Sequence, residues 1–439
     1  MPLPRRLQPR ALGTTLAVSA AFSLAAAPTA AALHDGQRPV AVRKLHAARP
    51  HAHQHLRRRR LERRHARRIL ARAERRALSA ARRIRRAEAS PRPPSAPPLA
   101  ASYSDRVGFA SHTDSMSPSD GYAYMQRATA AGMHWFREDF AWSVLERRKG
   151  QFDWRPTDVL MTNAAKLGGD VVAMAGYAPG WASGHPESDK YPPLDPADYA
   201  GFVGAIAKRY GTGGSFWAEN PGLTPRPLRA IELWNEPWLS SFWRPNPSPA
   251  AYAALVRAAA PAIKAVDPRI QVLISGDLHF GWADRHENSW LNGWLTELLK
   301  QDLPMGQVDG WSVHPYCGNR GPYQAAIAGF ADQAYAQQWL YQQLPLIRDM
   351  TTAAGKFKPL WSTELGWSTA GDVDPATQAA FVTGAVQRAV GEWRSFVARS
   401  FLYVLEKPHN GDRDGGYSLL NDDGSPKPAW TALRSLVSS

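Results

Sequence analysis

From about residue 105 onward, short apolar runs typical of buried strands alternate with longer stretches typical of helices. The eight apolar runs lie at residues 106–110, 133–137, 170–175, 230–234, 271–275, 308–313, 359–363 and 400–405. Helices are predicted at 121–131, 196–210, 249–266, 290–300, 331–354 and 375–393, with a closing helix after Pro428. Eight strands alternating with helices in about 340 residues predict an α/β protein with a closed (β/α)8 barrel, the TIM barrel. A doubly wound open sheet is the alternative, but it usually needs a Gly-rich phosphate-binding turn after the first strand, and none is present.

Two glutamates stand where predicted strands end. Pro237 cannot continue a strand, so the fourth run stops at Asn235-Glu236-Pro237 and leaves Glu236 at its carboxyl end. Glu364 has the same setting at the end of the seventh run. A lone glutamate there is more often a solvated loop residue. Two of them, each flanked by tryptophan, match the pair that cleaves a glycosidic bond, in which one protonates the leaving oxygen and the other attacks the sugar or activates water. Glu236 and Glu364 are therefore the predicted catalytic residues.

Other side chains follow the remaining strands, and the carboxyl ends of all strands share one face of such a barrel. The predicted substrate-binding residues are His112, Arg137, Trp142, Trp181, Asn235, His314, Tyr316, Trp367 and Glu406, and His279 is a further candidate after the fifth run. Arg137 is predicted to donate to the attacking carboxylate, the alternative being an ordinary ion pair with Glu138 or Asp139. Asn235 offers an amide to a sugar hydroxyl, unless it only satisfies its own turn.

The two glutamates need opposite protonation states near neutral pH. The acid must lie where burial or a neighbouring negative charge raises its pKa, and hydrogen-bond donors must keep the attacking carboxylate ionised. His314 and Tyr316 are predicted to orient that carboxylate by hydrogen bonds. The competing interpretation of His314 is a satisfied core histidine.

These motifs resemble glycoside hydrolase clan A, the retaining β/α-barrel enzymes, through Trp-Asn-Glu-Pro at 234–237 and a glutamate ending strand seven. The segments that are similar to family 39 and its relatives are 135–146, 150–154, 308–316 and 416–430. The resemblance spans about 105–435 and implies that Glu236 is the acid/base and Glu364 the nucleophile. Secreted relatives cut xylosides, β-glucans or exopolysaccharides. Where many relatives place an aromatic floor after strand eight, this chain has Leu-Glu-Lys-Pro at 405–408.

Positive charge is concentrated in the N-terminal quarter of the chain. Of the 53 Lys+Arg and 38 Asp+Glu residues, 23 and 4 respectively precede Asp105, and the remaining 30 and 34 nearly balance. The formal net charge of +15 therefore describes an N-terminal arm and not the barrel. Residues 33–100 are predicted to form this Arg/His/Ala-rich, mobile arm, which ends in a Pro-rich linker at 91–98. The catalytic domain is predicted at 101–439.

Residues 1–32 have the features of a secretory signal peptide. Three arginines within the first ten residues are followed by an apolar, alanine-rich run at 11–27 and by small residues at 30–32. An uncleaved membrane anchor is the alternative. A secreted or cell-envelope protein is therefore expected. The single cysteine, Cys317, excludes an intrachain disulfide and is compatible with either side of a membrane.

The basic arm suggests a polyanionic partner, either an anionic cell-wall polymer or a membrane surface, without specific nucleic-acid recognition. A solvated tether is the alternative. His51, His53 and His55 have no cysteine or carboxylate in a ligand pattern nearby, so neither a metal site nor a cofactor is predicted. The carbohydrate substrate is the other expected partner, and a monomer is expected.

The leading functional hypothesis is a secreted retaining β-glycosidase that is endo-acting on a polysaccharide. The endo mode is predicted from tryptophans in the loops after the strands, which would line an extended groove: Trp181, Trp238, Trp243 and Trp282. The alternative is a non-hydrolytic carbohydrate-binding protein of the cell envelope on the same scaffold. A third hypothesis makes the basic arm the functional part and the barrel its cargo.

Overall fold

The computed structural model describes residues 103–278, 293–323, 344–407 and 413–438. The predicted signal peptide, basic arm and Pro-rich linker, and also His279 and Trp282, lie outside the described residues. The barrel and both predicted catalytic glutamates lie within them.

Eight parallel strands close into one barrel in sequential order, with β1 hydrogen-bonded to both β2 and β8. The strands are β1 Val107–Ala110, β2 Trp135–Ala141, β3 Asp170–Gly176, β4 Ala230–Leu233, β5 Gln271–Ser275, β6 Gly310–Val313, β7 Leu360–Ser362 and β8 Val397–Leu402. The closed order confirms the predicted (β/α)8 barrel and excludes the open doubly wound sheet.

Helices connect the strands and cover the outside of the barrel. In chain order they are α1 Pro118–Thr129, α2 Trp142–Leu145, α3 Arg155–Leu167, α4 Gly180–Ser183, α5 Pro196–Tyr210, α6 Ser215–Glu219, α7 Pro249–Val266, α8 Trp294–Leu298, α9 Leu344–Ala353, α10 Pro375–Val386, α11 Arg413–Gly416 and α12 Pro428–Val437. A π-helical turn at Gln387–Glu392 continues α10. Within the described ranges, no helix is both long and apolar enough to cross a membrane.

Four of these helices begin with a Ser-Pro or Asp-Pro dipeptide. Each has a Ser or Asp at the N-cap, whose side chain accepts a hydrogen bond from a backbone N–H of the first turn, and a proline at the first helical position. The pairs start at Ser117, Asp195, Ser248 and Asp374. Proline fixes φ near its helical value and lacks the N–H that the first turn leaves unpaired. The sequence therefore specifies where these helices start.

The barrel interior is filled by side chains that point inward from the strands. The buried interior cluster comprises Ala110, Trp135, Val172, Ala230, Leu273, Trp361 and Phe401. The Trp135 and Trp361 rings meet edge to face at 5.9 Å. Gly310 makes room for this packing, because a Cβ there would lie 2.7 Å from a Leu273 methyl and 2.9 Å from the Trp361 ring. The interior is a packed core, so chemistry is confined to the barrel ends.

Several details differ from the sequence prediction, among them strand β2, which was predicted at 133–137 and runs from Trp135 to Ala141. Helix α3 was not predicted, although Pro156 at its start and Gly168, with φ 70°, at its end are typical helix boundaries. Strand β8 begins at Val397 and ends at Leu402, whereas it was predicted at 400–405. Because β8 ends three residues earlier, Tyr403 directly follows it, and Glu406 lies further along the loop.

Candidate active site

The two predicted catalytic glutamates converge at the carboxyl ends of the strands. Glu236 follows β4 and Glu364 follows β7, strands on different sides of the barrel. His314, which follows β6, lies between them: its Nδ1 is 2.9 Å from Glu236 Oε1 and 3.6 Å from Glu364 Oε2. One ligand atom from each of these three residues lies within 4.8 Å of the other two. The carboxyl groups of Glu236 and Glu364 therefore share a single small site.

The backbone after β4 turns sharply to present Glu236. Trp234 and Glu236 both have positive φ angles, 70° and 41°, a region that non-glycine residues seldom occupy. Such conformations persist only where the surroundings hold them and are concentrated at functional sites. Here the buried Trp234 indole donates to the Phe242 carbonyl at 2.7 Å. The indole thus anchors the turn that aims Asn235 and Glu236 into the site.

Arg137, on β2, organises the floor of the site with three hydrogen bonds. Its Nη1 donates to Glu364 Oε1 at 2.7 Å, its Nη2 to Asn235 Oδ1 at 2.9 Å, and its Nε to Glu232 Oε2. The guanidinium is buried, and a planar fork of donors holds all three acceptors in fixed directions. Arg137 therefore contacts the predicted nucleophile, and the surface ion pair with Glu138 or Asp139 is not what is found. Asn235 accepts from Arg137 through Oδ1, and its amide N–H groups remain as donors.

Glu232, on β4, is a buried carboxylate that sequence analysis missed. It accepts hydrogen bonds from Arg137 and from Thr363 Oγ1, at 3.0 Å for the latter, and lies 3.8 Å from His314 Nε2. Burial alone would raise its pKa, but the charges of Arg137 and His314 outweigh burial and lower the pKa of Glu232 to about 2. Glu232 is therefore ionised and holds the two cationic side chains beneath the catalytic pair. Its signal in the sequence is one charge inside an apolar strand.

Asp277, after β5, supports His314 from behind. The Asp277 carboxylate is buried and accepts a 2.8 Å hydrogen bond from the His314 backbone N–H. Burial opposes a charge on the His314 ring, but Glu364, Glu232 and Glu236 outweigh it and raise the pKa of His314 well above its ordinary value. His314 is thus a buried cation that donates to Glu236 at 2.9 Å, whereas it was predicted to orient the nucleophile, whose Oε2 lies 3.6 Å from the same nitrogen.

The pKa values of the two glutamates are shifted in opposite directions. Burial raises the pKa of Glu236, and the charges of Glu364 and Asp277 add to that shift against the hydrogen bond from His314. Burial would also raise the pKa of Glu364, but the positive charges of His314 and Arg137 outweigh it and lower this pKa. The arrangement keeps Glu364 ionised while favouring the protonated form of Glu236, as an acid and a nucleophile require.

Tyr316 holds the second oxygen of the predicted nucleophile. Its hydroxyl donates to Glu364 Oε2 at 2.9 Å, and its ring packs edge to face on Tyr403 and Tyr417. The His112 ring meets Tyr403 in the same way at 5.7 Å. All four rings are only partly buried, so together they form an aromatic wall beside Glu364. Tyr403 is an aromatic residue that directly follows β8, because the strand ends at Leu402 and not at 405.

The predicted tryptophans lie elsewhere. Trp142 is completely buried and stacks on Phe202, and its Nε1 donates to Glu146. Trp367 is 1% exposed, with its Nε1 bonded to the Arg320 carbonyl. Neither ring has a free face for a sugar. Trp181 is half-buried; it packs on Trp142 and donates to the Glu146 carbonyl.

Two further predicted residues are placed at the rim. His112 Nδ1 lies 3.9 Å from Asp139 Oδ2, and burial lowers the pKa of His112, so the ring is neutral near pH 7. Glu406 forms a 2.9 Å ion pair with Arg127 of helix α1 and is not part of the cluster around Glu364. Substrate contact by Glu406 stays a prediction.

Glu236, His314 and Glu364 also have the spacing of a cation site. The hydrogen bonds present favour proton transfer over metal binding at this site. His314 donates to Glu236, and Arg137 and Tyr316 each donate to one oxygen of Glu364. A cationic His314 cannot ligate a metal through the nitrogen that donates its proton.

Replacing Tyr316 by phenylalanine is expected to move the acid limb of the pH–activity profile to higher pH. As the predicted nucleophile Glu364 must be ionised, so activity is expected to be lost as pH falls through its lowered pKa. Removing a hydroxyl that donates to the charged form raises that pKa by about one unit. The basic limb, set by deprotonation of Glu236, should stay in place. The matched control is Tyr403→Phe, which alters the same aromatic wall. An unchanged acid limb in Tyr316→Phe, measured as kcat/KM against pH, would contradict this assignment.

Comparison with known proteins gives a consistent result. Residues 222–438 match the model of glycosyl hydrolases family 39, a segment that contains both Glu236 and Glu364. The beta-xylosidase of Geobacillus stearothermophilus is 24% identical over 229 residues, which are 50% of this chain and 43% of that protein. The chain thus spans less than half the length of this curated relative.

Solved structures share the barrel. A family 39 glycoside hydrolase from the gut symbiont Bacteroides cellulosilyticus WH2 superposes with a TM-score of 0.56 at 19% identity, over 76% of this chain and 64% of that one. The GH5_18 protein from Streptomyces cattleya, solved in complex with GlcNAc, gives 0.54 at 16% identity, over 76% and 79%. At such identities these two likenesses establish the fold. Together with the family match they confirm the resemblance that the motifs predicted.

Proposed function

We propose that this chain, a relative of glycosyl hydrolases family 39 with a clan A barrel, is a retaining β-glycosidase that hydrolyses O-glycosidic bonds with Glu236 and Glu364. The observation that carries the proposal is the pair itself. Two glutamates after different strands share one site, their pKa values are shifted in opposite directions, and each is hydrogen-bonded by a residue suited to its role.

The reaction takes two steps. Glu236, protonated, gives its proton to the glycosidic oxygen while the Glu364 carboxylate attacks the anomeric carbon and forms a glycosyl ester. The aglycone leaves with that proton. Glu236, now ionised, takes a proton from water, which displaces Glu364 and releases the sugar. The loss of charge on Glu364 in the intermediate weakens its effect on Glu236, which lets one residue act first as acid and then as base.

The distance between the glutamates supports retention. An inverting enzyme leaves room for a water molecule between carboxyl groups about 6.5–9.5 Å apart, whereas a retaining one holds them about 5–5.5 Å apart. One oxygen of Glu236 lies within 4.8 Å of one oxygen of Glu364, which leaves little room for a water molecule between the two carboxyl groups. Proton NMR of the first product should therefore show the anomeric configuration of the substrate, and first appearance of the inverted anomer would refute the mechanism.

Neighbouring residues have distinct proposed tasks. Arg137 and Tyr316 hold the two oxygens of Glu364 in the direction of attack. Asn235, fixed by Arg137, presents its N–H groups to a sugar hydroxyl, a contact that can strengthen in the transition state. His112 and Asp139 offer further hydrogen bonds at the rim.

The substrate class proposed is a β-linked glycan, and β-xylosides are the first to test because the curated relative is named a beta-xylosidase. The aromatic wall of His112, Tyr316, Tyr403 and Tyr417 is the surface on which a sugar ring can stack. The endo mode remains a prediction. Its original support is reduced, because Trp238 and Trp243 are buried, at 4% and 2% exposure, and cannot line a groove.

The test is an assay of the intact protein and of Glu236→Gln against a panel of β-linked polysaccharides and aryl glycosides. Turnover by the intact protein and its loss in the variant support the enzyme, and the product lengths distinguish endo from exo action. Equal, zero turnover with retained binding would instead favour the non-hydrolytic carbohydrate-binding protein. The retention of both carboxylates with their donors argues against that alternative.

Secretion or attachment to the cell envelope is part of the proposal and rests on the signal-like residues 1–32 and the basic arm. The arm is proposed to hold the enzyme on an anionic cell-wall polymer or membrane surface. A version that starts near Ala100 is expected to keep its turnover on soluble substrate and to lose only retention on anionic surfaces, measured by co-sedimentation at low and high salt. Loss of soluble turnover would support the arm as the functional part.

A further inference from the structure

A basic cleft lies at the opposite end of the barrel from the catalytic pair. Residues that precede β1, β7 and β8, together with the first residues of β8, line a cavity of about 460 Å³ at the amino-terminal ends of the strands. Its charged lining residues are Asp105, Arg106, Arg394 and Arg399. Three guanidinium groups against one carboxylate leave an excess of positive charge in a barrel whose total charge is nearly balanced.

Arg399 is the central feature of this cleft. Its guanidinium carbon lies 3.7 Å from the ring centroid of Trp135 and 4.7 Å from that of Trp361. Its Nε is buried and has no hydrogen-bond partner among the described residues. Indole faces satisfy a guanidinium by cation–π attraction but leave its N–H groups without acceptors. A buried donor of this kind is costly unless something else accepts from it.

The neighbouring charges increase the imbalance. Within the part of the chain that the structure describes, Arg106 donates to the backbone carbonyls of Arg394 and Val397, at 3.3 and 3.4 Å, and these neutral acceptors do not neutralise its charge. Arg229, whose nearest carboxylate is Asp170 at 3.9 Å, also faces Trp135. Burial, together with the positive charges of Arg229 and Arg106, outweighs the opposing charges of Asp170 and Asp105 and lowers the pKa of Arg399 to about 10. An anion in the cleft would accept from Arg399 and offset the excess positive charge of these arginines.

We propose that the cleft around Arg399 is a binding site for an oxyanion, either a free phosphate or the carboxylate of an acidic glycan. The planar donors of arginine match the paired oxygens of both groups. The cleft is separate from the catalytic face, and its proposal does not depend on the proposed hydrolase activity. In a glycan-degrading enzyme it would provide a second contact with an acidic polymer.

The experiment is isothermal titration calorimetry on the full chain, at constant ionic strength in chloride, with inorganic phosphate and separately with tetragalacturonate. Four proteins are compared: the unchanged chain, Arg399→Met, Ser395→Glu and Arg257→Met. Ser395 lines the cleft and is exposed. Ser395→Glu therefore introduces a negative charge that repels an anion without disturbing the interior packing. Arg257 is exposed on α7, so Arg257→Met removes one positive charge at a site away from the cleft. All four carry the same basic arm, so its contribution cancels in the comparison.

Saturable binding is expected in the unchanged chain and in Arg257→Met, with affinity about tenfold weaker in Arg399→Met and Ser395→Glu. Tighter binding of tetragalacturonate than of phosphate identifies the glycan carboxylate as the ligand, and binding of phosphate alone identifies the free anion. Circular dichroism and cooperative thermal unfolding check that each variant folds. Equal affinities in all four proteins, or no saturable binding by the unchanged chain, would overturn the site and assign Arg399 to packing alone.

Discussion

Replacing Glu364 by alanine is expected to lower kcat on β-glycosides by about 10⁴-fold or more, since no other described carboxylate is placed to form the glycosyl ester. That factor corresponds to about 5 kcal/mol of lost transition-state stabilisation. The loss should be the same for substrates with good and poor leaving groups, because both need the nucleophile. The measurement is kcat/KM on a series of aryl glycosides.

Two controls separate the loss of the nucleophile from a structural effect. Glu187→Ala removes an exposed glutamate that pairs with His185 at the surface, and it should leave activity unchanged. Glu364→Gln retains a group that can accept from Arg137 and Tyr316 but cannot attack, and it should be as inactive as Glu364→Ala. Added azide should not restore a product of retained configuration to Glu364→Ala. Turnover within tenfold of the unchanged chain would remove Glu364 from the mechanism.

The barrel could be predicted from the sequence because its local signals agree with one another. Apolar strand runs, Ser-Pro and Asp-Pro helix starts and glycine helix ends all fix the order of elements without reference to contacts distant in the chain. Strand β8 is an element whose boundaries these local signals cannot predict. After Ser400 the run to 405 has no polar–apolar alternation, so periodicity cannot place its boundary. The position is set by pairing of Ser400 and Phe401 with Val107 and Gly108 of β1, which only the closed barrel defines.

The convergence of Glu236 and Glu364 could be predicted because Pro237 marks a strand end that carries Glu236. Glu232 was missed because a charge within an apolar strand acquires its meaning only from Arg137 and His314, which lie far away in the chain. Asp277 was missed for the same reason, since its partner is a backbone N–H of another strand end.

Trp142 and Trp367 show the opposite error, because they were predicted to bind substrate and are instead part of the core. An indole after a strand can stack on a sugar or fill the space between strands and helices, and the sequence pattern is identical for both. In Trp142 and Trp367 the Nε1 groups bond to protein acceptors and the rings are buried, so both are part of the fold. The aromatic wall is built instead from tyrosines and His112, which keep a polar atom at the edge of the site.

Replacing Glu236 by alanine is expected to slow hydrolysis of substrates with poor leaving groups much more than hydrolysis of substrates with good ones. An alkyl glycoside or a polysaccharide needs its leaving oxygen protonated, so its rate should fall by about 10²–10⁴-fold. A dinitrophenyl glycoside needs little protonation, and Glu364 should still attack it at nearly the original rate. Its hydrolysis should then stall at the glycosyl ester, because no base activates water. The expected observation is a burst of dinitrophenolate equal to the enzyme concentration, followed by a slow phase.

Azide tests the same assignment from the other side. It needs no general base and fits the space left by the Glu236 side chain, so it should accelerate the slow phase and yield a glycosyl azide of retained configuration. Such a product requires two displacements at one carbon, and hence a covalent intermediate on Glu364. Glu187→Ala, which alters only the surface, should show neither the burst nor azide rescue. If Glu236→Ala slowed dinitrophenyl and alkyl glycosides equally, Glu236 could not be the acid. His314, which donates to Glu236 at 2.9 Å, would then be the next residue to test, because it is the cation closest to both carboxylates.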